Sequence, residues 1–306
     1  MLRSFRGLLG LATALAIPMA ASPVEAATPV VVAADGVLCD LTRALSGGAT
    51  DVRCLISSGA DPHHFRLTPN HRRDISAADV VLINGYDLTP SLEKLSDSFN
   101  VVAVGERAVP DNPTGDPHLW HSPVHTRAMA LVIAGELAQL PVSGASQQAL
   151  DIRKASVASI LSDLDAWNRI QIATIPEPHR VVVSEHLAFG FFTDRYGIQQ
   201  VAMIDDYATG GQLRPSSLRA ISDAVKASGT RVLFAEQRPP SKTLRRISRL
   251  SGKPIASGHL NADGTAPGQS LIETATANTC AVVNAQGGRC DQDGARALQQ
   301  RWSAVR

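Results

Sequence analysis

The hydrophobic pattern of this chain alternates between two periods. Short runs that are apolar at nearly every position recur at residues 29–34, 53–56, 80–84 and 101–104, and segments of helical period lie between most of them, the first over about 37–45 ahead of Gly47-Gly48. Strands buried on both faces that alternate with helices predict a parallel α/β sheet. Residues 27–143 are therefore expected to form a first α/β lobe. From about 146 to 172 runs the longest helical pattern, with Leu150, Val157, Ile160, Leu161, Leu164, Trp167 and Ile170 three and four apart and no proline until Pro176. A helix of about 25 residues is roughly 38 Å long. Its central position makes residues 144–173 a candidate rigid connector, the plainer reading being a long surface helix. Beyond it the alternation restarts. Strands are expected at 180–184, 199–203, 231–235 and 253–256, and helices at 189–196, 215–227, 241–250 and 269–284, with Ser216 and Ser241 as candidate N-caps. Residues 174–306 are thus expected to form a second α/β lobe.

The first 26 residues stand outside this pattern. Arg3 and Arg6 precede an apolar stretch over 8–21 interrupted by Pro18, and Val24-Glu25-Ala26 ends in a small residue. That is the layout of a secretory signal peptide, with cleavage expected after Ala26. No cysteine lies near that point, so no lipid anchor is expected, and no later segment approaches the roughly 20 apolar residues of a membrane span. A soluble exported chain is the expectation. With 44% hydrophobic residues in 306, it can bury one large core or two domain cores, and because aromatics are only 4% those cores must rest on Val, Leu, Ile and Ala. Losing Arg3, Arg6 and Glu25 reduces 29 basic and 28 acidic residues to 27 of each, which leaves no charge excess to draw nucleic acid or an anionic membrane.

In an exported chain four cysteines favour disulfides, with three connectivities in principle. Cys39 with Cys54 and Cys280 with Cys290 are preferred because each pair closes a short local loop, worth roughly 3 kcal/mol for about 15 residues. Thiolate metal binding is the competing reading, disfavoured by an oxidising compartment.

Three histidines occupy similar settings far apart: Asp61-Pro62-His63-His64-Phe65, Asp116-Pro117-His118-Leu119-Trp120 and Ser184-Glu185-His186-Leu187-Ala188-Phe189. Each follows an expected strand or loop end and is trailed by an aromatic. Imidazole nitrogen suits zinc and its neighbours in the first transition row, and three dispersed histidines define most of a tetrahedral shell. No HExxH, CxxC or Cys/His finger spacing occurs, so the fold must gather the ligands. His63 and His118 fall in the first lobe and His186 in the second, which places the metal in the cleft between them. Taken singly, each histidine would be an ordinary surface or hydrogen-bonded residue. Asp61 and Asp116 read as turn formers before proline. Phe65, Trp120 and Phe189 could form an apolar collar or simply pack in the core. His64, His121 and His125 lie close enough for weak secondary contacts.

With those residues in place, the chain resembles the zinc- and manganese-binding solute receptors of ABC importers over essentially its whole mature length. Gly59-Ala60-Asp61-Pro62-His63 with Thr68-Pro69 resembles the first ligand loop of that family, and residues 77–85 resemble the strand after it. Asp116-Pro117-His118-Leu119-Trp120 with Ser122-Pro123 resembles the second, and His186-Leu187-Ala188-Phe189-Gly190-Phe191-Phe192 with Arg195-Tyr196-Gly197 the third. Gly258-His259-Leu260-Asn261-Ala262-Asp263 is similar to the family's closing segment, which implies Asp263 as the fourth ligand. Phe234-Ala235-Glu236 resembles the strand and acidic residue before it, and Glu236 is read as a supporting group or a solvated strand end.

The resemblance implies two α/β lobes joined by one long helix with little domain closure, a periplasmic location, a monomer, and delivery of the metal to an ABC permease in the inner membrane. Three imidazoles and one carboxylate favour Zn2+, whereas Mn2+ prefers more oxygen. Related manganese receptors commonly carry glutamate at the third position; here it is His186, although a register change would offer Glu185 and with it the manganese alternative. Residues 107–114 replace the long histidine-rich loop of many zinc receptors with a short, histidine-free one. Affinity is expected to fall as pH drops through the histidine range near 6.5. A zinc hydrolase would need an open coordination position and a base such as Glu185 or Glu236, and no nucleophile or oxyanion motif accompanies them. An exported metal buffer or adhesin is a third reading, since no permease-docking motif is recognisable.

Overall fold

Val30–Ala33 (β1) is buried from Val31 onward, as a central strand covered on both faces must be. Gly36–Ser46 (α1) follows, started by Asp35, whose carboxylate accepts the N–H groups of Val37 and Leu38, and stopped by left-handed Gly47. The computed structural model describes residues 27–95, 98–204 and 215–306. The expected leader over 1–26 and the side chain of Ser216 lie outside the described residues.

The first lobe continues through Asp51–Cys54 (β2), Pro69–Ser76 (α2), Val80–Ile83 (β3), Pro90–Glu93 (α3), Val101–Ala103 (β4), Val104–Ala108 (α4) and Pro123–Leu137 (α5). Its strands run parallel in the order β2-β1-β3-β4. The second strand starts two residues earlier than its apolar run suggests. It is an edge strand, so Asp51 and Arg53 can sit in the ladder with their side chains outward and paired, while Leu55 and Ile56 are buried beyond its end.

Gly144–Ala173 (α6) is a continuous helix of 30 residues, about 45 Å at 1.5 Å per residue. Leu150, Val157, Ile160, Leu161, Leu164, Trp167 and Ile172 form its buried stripe. Ile170 does not belong to that stripe: it is 65% exposed, because Asn168 and Gln171 occupy the inward positions around it. The second lobe is built from Val181–Ser184 (β5), Gly190–Tyr196 (α7), Gln199–Ala202 (β6), Pro215–Ala227 (α8), Leu233–Ala235 (β7), Lys242–Ser251 (α9), Ile255–His259 (β8), Leu271–Ala285 (α10) and Gln292–Val305 (α11). β5 pairs with β6 and β7 with β8, both in parallel, and β5 packs beside β7. No element is expected from the sequence over residues 292–305; Asp291 caps this helix and Ala295, Leu298 and Trp302 line its buried face. Among the described residues no helix is long and apolar enough to cross a membrane.

The last two helices return to the first lobe. Asp40 on α1 accepts the Leu271 N–H and the Trp302 indole N–H, each at 2.8 Å, and its other oxygen lies 2.9 Å from the Arg306 guanidinium. The disulfides are Cys39–Cys54, which ties α1 to β2, and Cys280–Cys290, which ties α10 to the start of α11. Both are the pairs expected from loop length. Asp40→Ala would leave two buried donors without a partner, and should cost about 2–4 kcal/mol of unfolding free energy. A lower urea midpoint at unchanged slope is the expected reading.

Candidate metal centre

Four loops converge between the lobes. His63 lies between β2 and α2, His118 between α4 and α5, His186 just beyond β5 and Asp263 just beyond β8. The two Asp-Pro-His segments fold alike: Asp61 accepts the N–H of His63 at 2.8 Å, and Asp116 that of His118 at 2.9 Å. Each aspartate thus closes a turn that throws its histidine inward. At the third loop Glu236, from the end of β7, accepts the N–H of Glu185 at 2.7 Å and of His186 at 3.3 Å.

All four residues singled out from the sequence come together, their donor atoms within 4.8 Å of one another. Among the described residues no other group of three or more His, Cys, Asp or Glu side chains does so. Asp263 Oδ1 is the hub, 3.3 Å from His63 Nε2, 3.2 Å from His118 Nε2 and 3.6 Å from His186 Nε2. His63 Nε2 and His118 Nε2 lie 3.4 Å apart. His118 and His186 are buried, and His186 Nε2 has no hydrogen-bond partner. A buried ring nitrogen without a hydrogen-bond partner, close to a carboxylate and two more imidazoles, marks these four residues as a candidate cation site.

Two carboxylates fix the rings from behind. Asp116 Oδ1 sits 2.8 Å from His118 Nδ1, and Glu236 Oε2 sits 2.7 Å from His186 Nδ1. Each leaves Nε2 as the free donor pointing into the cluster. Burial disfavours charge on His118, but hydrogen bonds to Asp116 and Asp263 outweigh it and raise its pKa above the ordinary histidine value. Burial likewise opposes charge on His186, and Asp263 and Glu236 overturn it, raising the pKa to about 10. Desolvation would raise the Asp263 pKa, yet the surrounding imidazoles hold the carboxyl well below the usual range. The cluster is a place where positive charge is wanted.

A family model described as the periplasmic component A of a zinc-uptake complex, ZnuA, matches residues 31–285. The chain belongs to this family. The manganese-binding lipoprotein MntA of Bacillus subtilis is 27% identical over 225 residues, which cover 69% of this chain and 71% of the relative. The high-affinity zinc uptake system protein ZnuA of Paracoccus denitrificans is 26% identical over 310 residues, with coverage of 85% and 92%. The solved periplasmic zinc-binding protein TroA of Treponema pallidum superposes with a TM-score of 0.78 over 85% of this chain and 99% of that one at 23% identity, a likeness of fold.

In this member of the ZnuA family the loop that carries Asp263 is fastened across the cleft. Gly59 donates its N–H to the Thr265 carbonyl at 2.9 Å, and Thr265 Oγ1 donates to Ser58 Oγ at 3.1 Å. Gly59 has φ +80°, and a Cβ there would meet Pro267 at 2.6 Å, so only glycine permits this approach. His121 Nε2 contacts the Ala262 carbonyl at 2.8 Å. Burial, reinforced by the charge of His118, drives the His121 pKa down to about 3, so the ring is neutral and donates to that carbonyl. Sequence reasoning offered His121 only as a weak secondary contact; its position as an anchor for the Asp263 loop had no local signal. At the seam on the other side, Gly190 leaves room for Asp116, whose Oδ2 would lie 2.9 Å from a Cβ there.

The remaining candidates separate. Trp120 packs edge-on against His118 at 5.3 Å and Phe189 against His121 at 4.5 Å, whereas Phe65 stacks on His71. The aromatic collar therefore lacks Phe65. Glu185 lies near Gln237 and Ser241 with one buried carboxylate oxygen that has no hydrogen-bond partner, and lines a cavity of about 290 Å³ with Asp61, His186, Glu236 and Asp263. His64 is exposed and lies 3.2 Å from Asp61, and His125 packs on Phe191. Asp116→Asn keeps an acceptor for the His118 backbone but removes the charge behind Nδ1. It should lower metal affinity by about 10–100-fold, measured by competition against a chromophoric chelator; a loss below about threefold would contradict the role given to Asp116.

Proposed function

We propose that this protein is a periplasmic receptor that captures one divalent cation, zinc in preference to manganese, and delivers it to an ABC permease in the inner membrane. His63, His118 and His186 bind through Nε2 and Asp263 through Oδ1. The spacing of these donors carries the reading. A tetrahedral shell with bonds of about 2.0–2.1 Å has edges of about 3.3–3.4 Å; four of the six donor separations, 3.2, 3.3, 3.4 and 3.6 Å, are close to such edges, and all the donor atoms lie within 4.8 Å of one another. One chain supplies all four donors, so the reading needs no second subunit. Four donors also fill a tetrahedral shell and leave no position for an activated water, which favours capture over hydrolysis. On this reading residues 27–143 and 174–306 are the two lobes and 144–173 the connector.

The place of Glu185 supports zinc over manganese, since the carboxylate that would enrich the shell in oxygen is not among the four converging groups. Native mass spectrometry on protein offered zinc and manganese in equal amounts should find one tightly held zinc. His118→Ala should lower zinc affinity by orders of magnitude with the fold intact; unchanged affinity would remove the assignment, and retained manganese would shift it to that metal.

Protons compete with the cation for the same nitrogens. Because the charged forms of His118 and His186 are favoured in the metal-free site, acid strengthens the competitor, and raising the pH through their elevated pKa values weakens it. The pH window therefore lies above the ordinary histidine value expected from sequence. Affinity should still be rising between about pH 7 and pH 8, past the unperturbed value near 6.5, with protons released on binding. Calorimetry in buffers of different ionisation enthalpy would reveal the release; a flat affinity over that interval would refute it.

A further inference from the structure

Between Glu236, which holds His186, and Asp263 lie 26 residues with six basic side chains and no acidic one, in a chain of 29 basic and 28 acidic residues. Four of these, Lys242, Arg245, Arg246 and Arg249, fall on α9 at the spacing i, i+3, i+4, i+7 and are all exposed. They form one stripe about 10 Å long. The opposite side of the helix, Leu244, Ile247 and Ser251, is locked into the second core.

Folding does not account for the stripe. Like charges three and four apart on a helix repel, and Lys242 and Arg245 lie in the first turn, where cations oppose the helix dipole. Among the described residues none of the four makes an ion pair; Arg245 donates to the Pro240 carbonyl. Arg249, in the last turn, suits the dipole; Lys242, Arg245 and Arg246 keep their charge against it or against one another, and an Arg-rich stripe on a rigid element is suited to gripping carboxylates in pairs.

We propose that this stripe is where an acidic protein surface of the membrane-embedded partner docks on the second lobe. This rests on the receptor reading above. The apolar side of α9 is committed to the core, so the helix has no face to bury in a bilayer, and four cations alone hold a lipid surface weakly. A protein partner with fixed carboxylates matches the fixed stripe better. The location also connects to the site. Ser241, the cap of α9, lies near Glu185 at the cavity rim, and the chain on either side of α9 and β8 leads to Glu236 and Asp263. A load applied to α9 is thus applied to a segment whose two ends hold the cluster.

The test uses the full chain in its own bacterium lacking the chromosomal copy, with uptake of radiolabelled zinc as readout. The charge-reversed Lys242→Glu, Arg246→Glu, Arg249→Glu variant should keep the zinc affinity and melting temperature of the natural protein while restoring uptake at least tenfold less well, on the order expected for like-charge juxtaposition at an interface. The neutral Lys242→Gln, Arg246→Gln, Arg249→Gln variant guards against a folding defect and should fall between. Full uptake by the reversed variant overturns the proposal. So does sedimentation of the natural protein with phosphatidylglycerol vesicles that is lost on reversal, which would assign the stripe to lipid. Failure of the natural protein itself to restore uptake would instead bring down the receptor reading, and the docking surface with it.

Discussion

The structure depends on one carboxylate oxygen held among three imidazoles. Asp263 Oδ1 lies within 3.6 Å of three Nε2 atoms, and burial of an anion there is tolerable only if positive charge shares the space. Protonation of His118 and His186 is favoured there, and in the proposed reading a divalent cation takes over that charge more compactly. Asp116 and Glu236 extend the same requirement outward, since each steadies an imidazole in whichever form it takes. The loops have little freedom left once these contacts are made.

This constraint also explains why the site straddles the lobes. No single loop offers more than one of the four donors, so the cluster exists only when the sheets, the long α6 and the Asp263 loop are all in register. The fastening of Thr265 to Ser58 and Gly59 and of Ala262 to His121 gives the Asp263 loop, which belongs to the second lobe by chain order, a set of contacts with the first.

Much of this was legible in the residues. The β-branched runs announced buried parallel strands because both faces of β1 and β3 are covered, and the three histidines stood out because each recurs after a turn and before an aromatic. What was not legible depended on partners distant in sequence. The ladder of β2 begins at Asp51 because an edge strand tolerates paired charges that an apolar run does not advertise. Ile170 looked like core and is exposed, since the stripe of a 30-residue helix drifts with 3.6-residue periodicity. α11 carries only three buried positions, too few to read as a periodic pattern. Glu236 gains its role from contacts with Glu185 and His186 some 50 residues earlier, and His121 from one contact across the cleft with Ala262; nothing beside either in the chain encodes those partners.

The return of α10 and α11 to α1 changes what the long helix means mechanically. Two bodies joined by one strut can swing about it; two bodies joined by a strut and by a second, separate attachment through Asp40 lose that rotation and retain only small sliding. Wide opening of the cleft is then the most costly route for a bound ion to leave. The cheaper route is local, the release of a few loop hydrogen bonds around Ala262 and Thr265 while both cores stay intact. Cargo lifetime in such a molecule is a property of loop fraying, set by a handful of bonds rather than by the stability of either lobe.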